Sequence, residues 1–144
     1  MANKQSQQSL NIQLNKFNMA NIKKGSIVVM IAKRRSGKSW LIKDLLYYHR
    51  DIPLGMVICP TEVSNPFYSE IMPKIFIHDE YTPEIVDSFC KRQKLVSMKF
   101  KKQLATYGKS NLDPNAFYIM DDCMFDISWL KDINIRGLFM NGRH

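Results

Sequence analysis

The run "IAKRRSGKSW" at residues 31–40 holds the parts of a phosphate-binding loop. Such a loop must turn several backbone N–H groups inward and offer the positive N-terminal end of a helix to the same anion. Gly37 lets the backbone approach the phosphates with no side chain in the way. Lys38 places a point charge near the β- and γ-phosphates, and Ser39 offers its hydroxyl to Mg2+. The candidate ligand-contacting stretch is therefore Lys33, Arg34, Arg35, Ser36, Gly37, Lys38, Ser39 and Trp40. Arg34 and Arg35 either add phosphate contacts or stand in solvent, and the second is favoured. Ala32 occupies the place of the usual first glycine. Its methyl is tolerable if φ stays negative and costs about 1 kcal/mol or more if it does not.

A second chemical feature is "FYIMDD" at residues 117–122, four apolar residues and two aspartates. A strand that delivers Asp121 beside Ser39 would let the carboxylate hold the Mg2+ shell through water. Asp122 could then orient or deprotonate an attacking water. By average composition, Gly-Lys-Ser or Gly-Lys-Thr arises by accident in roughly one chain in ten of this length. The two features gain weight from each other and from where they lie along the chain.

Both lie at the ends of strand-like runs. "GSIVVMI" at residues 25–31 reads as a strand buried on both faces, and "KSWLIKDLLYYHR" at 38–50 as a helix with Leu41, Leu45 and Tyr48 on its apolar face. "GMVICP" at 55–60 and "KIFIHD" at 74–79 read as two more strands, with a proline-bracketed loop or short helix at 61–73 between them. Thr82, Pro83 and Glu84 make a helix start, and the helix runs, whole or broken, to about Tyr107 before Gly108. Residues 116–122 form a fourth strand and residues 126–140 are mostly helical. Apolar strands alternating with helices predict an α/β fold with a mostly parallel sheet covered on both faces. In such sheets ligands bind at the carboxyl ends of strands, where both motifs fall.

The chain has 144 residues and 45% hydrophobic content, which suits one folded domain, residues 25–144, behind a polar, flexible segment at residues 1–24. No apolar run has the ~18–20 residues of a membrane span, and no secretion signal is evident. Cys59, Cys90 and Cys123 form no Cys-x-x-Cys pair and read as reduced thiols of an intracellular protein. The net charge of +8 is local. Residues 88–112 carry seven basic side chains (Lys91, Arg92, Lys94, Lys99, Lys101, Lys102, Lys109) and no acid. With Val96, Phe100 and Leu104 on one helix face, the lysines would line another and suit a polyanion.

From residue 25 to residue 144 the chain resembles the P-loop ATPases of the FtsK–HerA superfamily, in particular the DNA-packaging ATPases of large nucleocytoplasmic DNA viruses of the poxvirus-like branch. The resemblance rests on "IAKRRSGKS", "YIMDDCMFD" and the terminal "LFMNGRH". It implies a three-layer P-loop NTPase fold of the RecA/ASCE type, incomplete at the C-terminus, because the family pattern continues into a further strand with a polar sensor. It implies ATP as the nucleotide, Lys38 and Asp122 as catalytic residues, and Ser39 and Asp121 at Mg2+. Asp122 stands where the wider superfamily has Glu. It further implies a homo-oligomeric ring that drives double-stranded DNA into a capsid with capsid or portal proteins as partners, in the infected cell and the virion. Arg136 and Arg143 are candidate arginine fingers or ordinary surface arginines.

Two other function classes compete. A P-loop kinase for a nucleotide or small molecule would want an arginine-rich lid late in the chain, where Arg136 and Arg143 stand alone. A non-catalytic nucleic-acid-binding subunit would bind nucleotide without turnover.

Overall fold

The computed structural model describes residue 13, residues 15–33 and residues 35–141. The predicted contributions of Arg34, Arg143 and His144, and most of the polar N-terminal segment, lie outside the described residues. The fold is α/β. Its elements are helix α1 (Lys38–Tyr48), strand β1 (Gly55–Ile58), strand β2 (Ile77–His78), helix α2 (Pro83–Tyr107), strand β3 (Phe117–Met120) and helix α3 (Ile133–Asn141). Short 3-10 turns stand at Met19–Asn21, Tyr68–Glu70, Lys74–Phe76 and Ser128–Lys131.

The three strands form a parallel sheet in the order β2-β1-β3. Strand β1 is central and wholly buried, as expected of a strand with a neighbour on each edge and helices on each face. Consecutive side chains of β1 point to opposite faces, and each feeds a separate core. Val57 packs with Cys59 and Tyr68 against Ile42 of α1. Ile58 packs with Val86 of α2, Ile135 of α3 and Cys123. The helices therefore cover both faces, α1 on one and α2 with α3 on the other. Val57 and Ile58 are 0% exposed, each contributing about 1.5–3 kcal/mol through burial. Gly55 is required by its cross-strand neighbour, because a Cβ there would overlap the Phe117 ring.

Local chemistry explains the helix ends. Thr82 Oγ1 accepts from the Ile85 N–H at 3.4 Å, Pro83 takes the first turn, and Gly108 closes α2 in the left-handed region at φ 68°. The helix is continuous over 25 residues. The segment at residues 74–79 is mostly not strand: Phe76 N–H turns back to the Pro73 carbonyl, and two residues remain to pair with β1. On α1 the buried face is rotated from the predicted one. Ile42, Leu45 and Leu46 are half-buried, while Leu41 and Tyr48 are 42% and 48% exposed.

One expectation is corrected. The run at residues 25–31 is not a strand in the described sheet, and Val29 and Ile31 are 69% and 93% exposed. A β-branched run favours the extended state, but a strand also needs a neighbour to share its hydrogen bonds. None of the three described strands takes that place.

Candidate phosphate and metal site

Four segments converge at the carboxyl ends of β1 and β3. The loop at residues 32–37 leads into α1 with Gly37 as its N-cap, at φ 92°. No heavy atom stands within 4 Å of a Cβ built there, so it is the backbone angle that calls for glycine. Arg35 is also left-handed, at φ 60°. Ser36 N–H closes a turn onto the Lys33 carbonyl at 3.3 Å. Lys38 folds back over the loop, its Nζ 3.4 Å from the Ala32 carbonyl oxygen. Lys33, Arg35 and Ser36 are exposed, and Lys38 and Ser39 are half-buried at the start of the helix.

The structure brings Ser39 and Asp121 together. The Ser39 hydroxyl lies 3.5 Å from Asp121 Oδ2, across 82 residues of sequence. Asp121 is buried, at 7% exposure, because its N–H continues the ladder to the Ile58 carbonyl at 3.0 Å. A buried carboxylate needs donors to offset its lost hydration. The main one is the Tyr68 phenol, which donates to Oδ2 at 2.8 Å. Burial, reinforced by the Asp121 charge, pushes the Tyr68 phenol far above the usual tyrosine range, so it remains a donor.

Asp122 leaves the strand at φ 54°, a conformation rarely taken by a side-chain-bearing residue. This turn exposes its carboxylate while Asp121 stays buried. Thr61 Oγ1 donates to Asp122 Oδ2 at 3.4 Å. Two adjacent aspartates are thereby given different surroundings, one enclosed beside Ser39 and one open to solvent beside Thr61.

Sequence reasoning did not single out Thr61, Glu62 or Tyr68. All three belong to the segment that follows β1. Glu62 is 8% exposed, and its carboxylate accepts from the N–H groups of Phe67, Tyr68 and Ser69 at 3.0, 3.0 and 2.8 Å. Burial alone would raise its pKa, but the three backbone donors outweigh it and hold the carboxyl below the usual range. The available signal was position: a proline-bracketed segment following a buried strand must pass the ligand end of the sheet.

Trp40 is 70% exposed and meets Phe67 edge-on, with ring centroids 6.4 Å apart, and Lys43 Nζ lies 5.3 Å from the Trp40 ring. Arg136 is exposed on α3. Burial raises the pKa of all three thiols, that of Cys123 to about 12. They are free cysteines.

The donor set suits Mg2+ in one specific way. Among the described residues no group of three or more His, Cys, Asp or Glu is placed to hold a metal. Mg2+ bound with a nucleotide does not need such a cage: it keeps several waters and takes one or two protein oxygens plus phosphate oxygens. Ser39 Oγ and one carboxylate oxygen of Asp121, which lie side by side, could supply oxygens of that kind.

On α2 the basic side chains Lys91, Arg92, Lys94, Lys99, Lys101 and Lys102 are all exposed, as is Lys109 beyond it. Val96 and Phe100 are half-buried as expected, whereas Leu104 is 47% exposed. Lys91 is paired with Asp87 at 2.6 Å. Among the described residues no helix is long and apolar enough to cross a membrane.

The chain is similar to proteins of large DNA viruses. It is 43% identical over 118 residues to uncharacterized protein L437 of Acanthamoeba polyphaga mimivirus, covering 81% of this chain and 41% of that protein. It is 43% identical over 121 residues to uncharacterized protein 075L of Invertebrate iridescent virus 6, covering 83% and 43%. With uncharacterized protein 015R of Frog virus 3 the identity is 39%, over 83% of this chain and 35% of the relative. The chain thus spans less than half the length of these relatives. No family model matches it. No solved structure matches it.

Proposed function

We propose that this chain carries the nucleotide site of an ATP-driven motor that moves double-stranded DNA, with packaging of a viral genome into its capsid as the task. The observation that carries the reading is the meeting of Ser39 and Asp121 at 3.5 Å, beside a lysine drawn over the loop that precedes α1. Lys38 would leave the Ala32 carbonyl to pair with the β- and γ-phosphates, and the N–H groups at the start of α1 would face the same charge. Mg2+, when bound, neutralises charge that develops on the phosphate oxygens. Ser39 and Asp121 would hold its shell. Asp122, exposed and braced by Thr61, would accept the proton of the attacking water.

The finer fold belongs to the same proposal. A three-layer P-loop sheet of the RecA/ASCE type would need strands beyond the three described. The motor task is supported by the exposed cations of α2 and by the viral source of the relatives. A homo-oligomeric ring, with capsid or portal proteins at one end, is the assembly such a task calls for.

The test is the ATPase rate with and without duplex DNA. Stimulation by DNA, and its loss in Lys38→Ala and Asp122→Asn, is the expected result. Phosphorylation of an added nucleoside or other small acceptor would replace the motor by a kinase. Stabilisation by nucleotide without turnover would leave a non-catalytic nucleic-acid-binding subunit.

A further inference from the structure

We propose that Tyr68 is a positioning residue for Asp121, setting which carboxylate oxygen is left to the Mg2+ shell, and that Glu62 holds Tyr68 in place to do so. This rests on the nucleotide-site reading and adds two residues to it. Both described donors to the Asp121 side chain, Tyr68 Oη at 2.8 Å and Ser39 Oγ at 3.5 Å, meet the same oxygen, Oδ2. The terminal torsion of an aspartate is soft and nearly two-fold, so the backbone alone does not choose between its oxygens. A short bond from a neutral phenol to a carboxylate is charge-assisted and directional. It fixes the plane of the group and leaves the lone pairs of Oδ1 for a water or cation.

Tyr68 can do this because its side chain is buried and its backbone is bonded. Its side chain is 1% exposed, in the core with Val57 and Cys59, and its ring meets Phe67 edge-on with centroids 5.1 Å apart. Its backbone N–H, with those of Phe67 and Ser69, is bound by the nearly buried Glu62 carboxylate. Glu62 N–H in turn bonds the Cys59 carbonyl at 3.1 Å, directly after β1. A continuous set of contacts therefore runs from the central strand through Glu62 and Tyr68 to Asp121. Partners of metal-linked groups at this remove commonly alter metal affinity 10–100-fold when lost.

The experiment measures binding of a fluorescent ATP analogue (mant-ATP) as Mg2+ is titrated, and again in EDTA. Tyr68→Phe keeps the ring and removes the hydroxyl. It is expected to raise the Mg2+ concentration at half-effect by roughly tenfold or more, while affinity in EDTA stays at the wild-type value. A wild-type Mg2+ dependence in Tyr68→Phe, or an equal loss with and without Mg2+, overturns the proposal. If circular dichroism finds Tyr68→Phe unfolded, Glu62→Gln decides: a shifted Mg2+ half-effect supports the proposal and an unshifted one overturns it. Wild-type protein that fails to bind the analogue in either condition, or Lys38→Ala that binds it as well as wild type, overturns the nucleotide-site reading and this inference together.

Discussion

Thr61 donates a hydrogen bond to Asp122 Oδ2 at 3.4 Å, joining the carboxyl ends of two neighbouring parallel strands. Thr61 is also tied to Cys59, whose sulfur lies 3.3 Å from its hydroxyl. The contact spans 61 residues of sequence and braces the more exposed of the two adjacent aspartates. The backbone of Asp122 is held in the left-handed region at φ 54°. Strain of this kind persists only where the surroundings enforce it, and it concentrates at functional sites.

Thr61→Ala should lower kcat several-fold with little change in KM, since the hydroxyl touches Asp122 rather than the phosphate loop. On the proposed reading Asp122 is the proton acceptor, and Asp122→Asn should cost about 10²–10⁴ in kcat. Steady-state kinetics of the two variants check the order. Equal losses in both, or a Thr61 effect confined to KM, would contradict the assignment.

Glu62 makes a pH-dependent contribution to stability. Its folded carboxyl is held below the ordinary glutamate value of 4.5, so the stability it adds is present above that value. That stability is lost as pH falls through the lower folded value. Glu62→Ala should cost about 2–3 kcal/mol at pH 7, because three N–H groups lose a charged acceptor. Urea unfolding across acidic pH should give a wild-type curve that falls below pH 4.5 and approaches that of the variant. A constant gap would exclude this role.

Tyr118→Phe should not destabilise the protein, and a gain of up to about 1 kcal/mol is expected. The Tyr118 hydroxyl is buried with no hydrogen-bond partner among the described residues. Its ring packs beside Phe89, with centroids 5.8 Å apart, and phenylalanine keeps that contact. Thermal unfolding measures the difference, and a loss of more than about 1 kcal/mol would mean that the hydroxyl has a partner.

The basic face of α2 predicts strong salt dependence. Binding of ~6–10 phosphates would lose about 10³–10⁵ in affinity between 50 and 200 mM salt. Lys99→Ala, Lys101→Ala and Lys102→Ala should each reduce the salt slope by about one. Lys91, already paired with Asp87, should matter less. Fluorescence anisotropy with labelled duplex DNA checks this, and a slope unchanged by the triple substitution would place the DNA elsewhere.

Much of the site was legible along the chain. The glycine of the loop, the lysine and hydroxyl that follow it, and the apolar strand ending in two acids are local patterns; Ser39 meets Asp121, while the strand expected before the loop is not in the described sheet. The start and stop of α2 were equally local, carried by Thr82, Pro83 and Gly108. The run at residues 25–31 lies outside the described sheet: β-branched composition reports a preference for extension, not the presence of a neighbouring strand. Glu62 and Tyr68 are not legible in the sequence, because a glutamate and a tyrosine in a proline-bracketed segment carry no motif.

The sequence by itself determined the ends of α2, the burial of β1 and the polar residues of the candidate loop before α1. These depend on side-chain shape, backbone angle and hydrophobic run length, all properties of neighbours in the chain. Tertiary structure alone decided that Asp121 is enclosed while Asp122 is open, and that Tyr68 and Thr61 each take one of them. Those outcomes depend on the side-by-side placement of β1 and β3, which brings together groups 53 to 82 residues apart. No local preference encodes such a meeting, because its free energy comes from packing the two strands into a shared core.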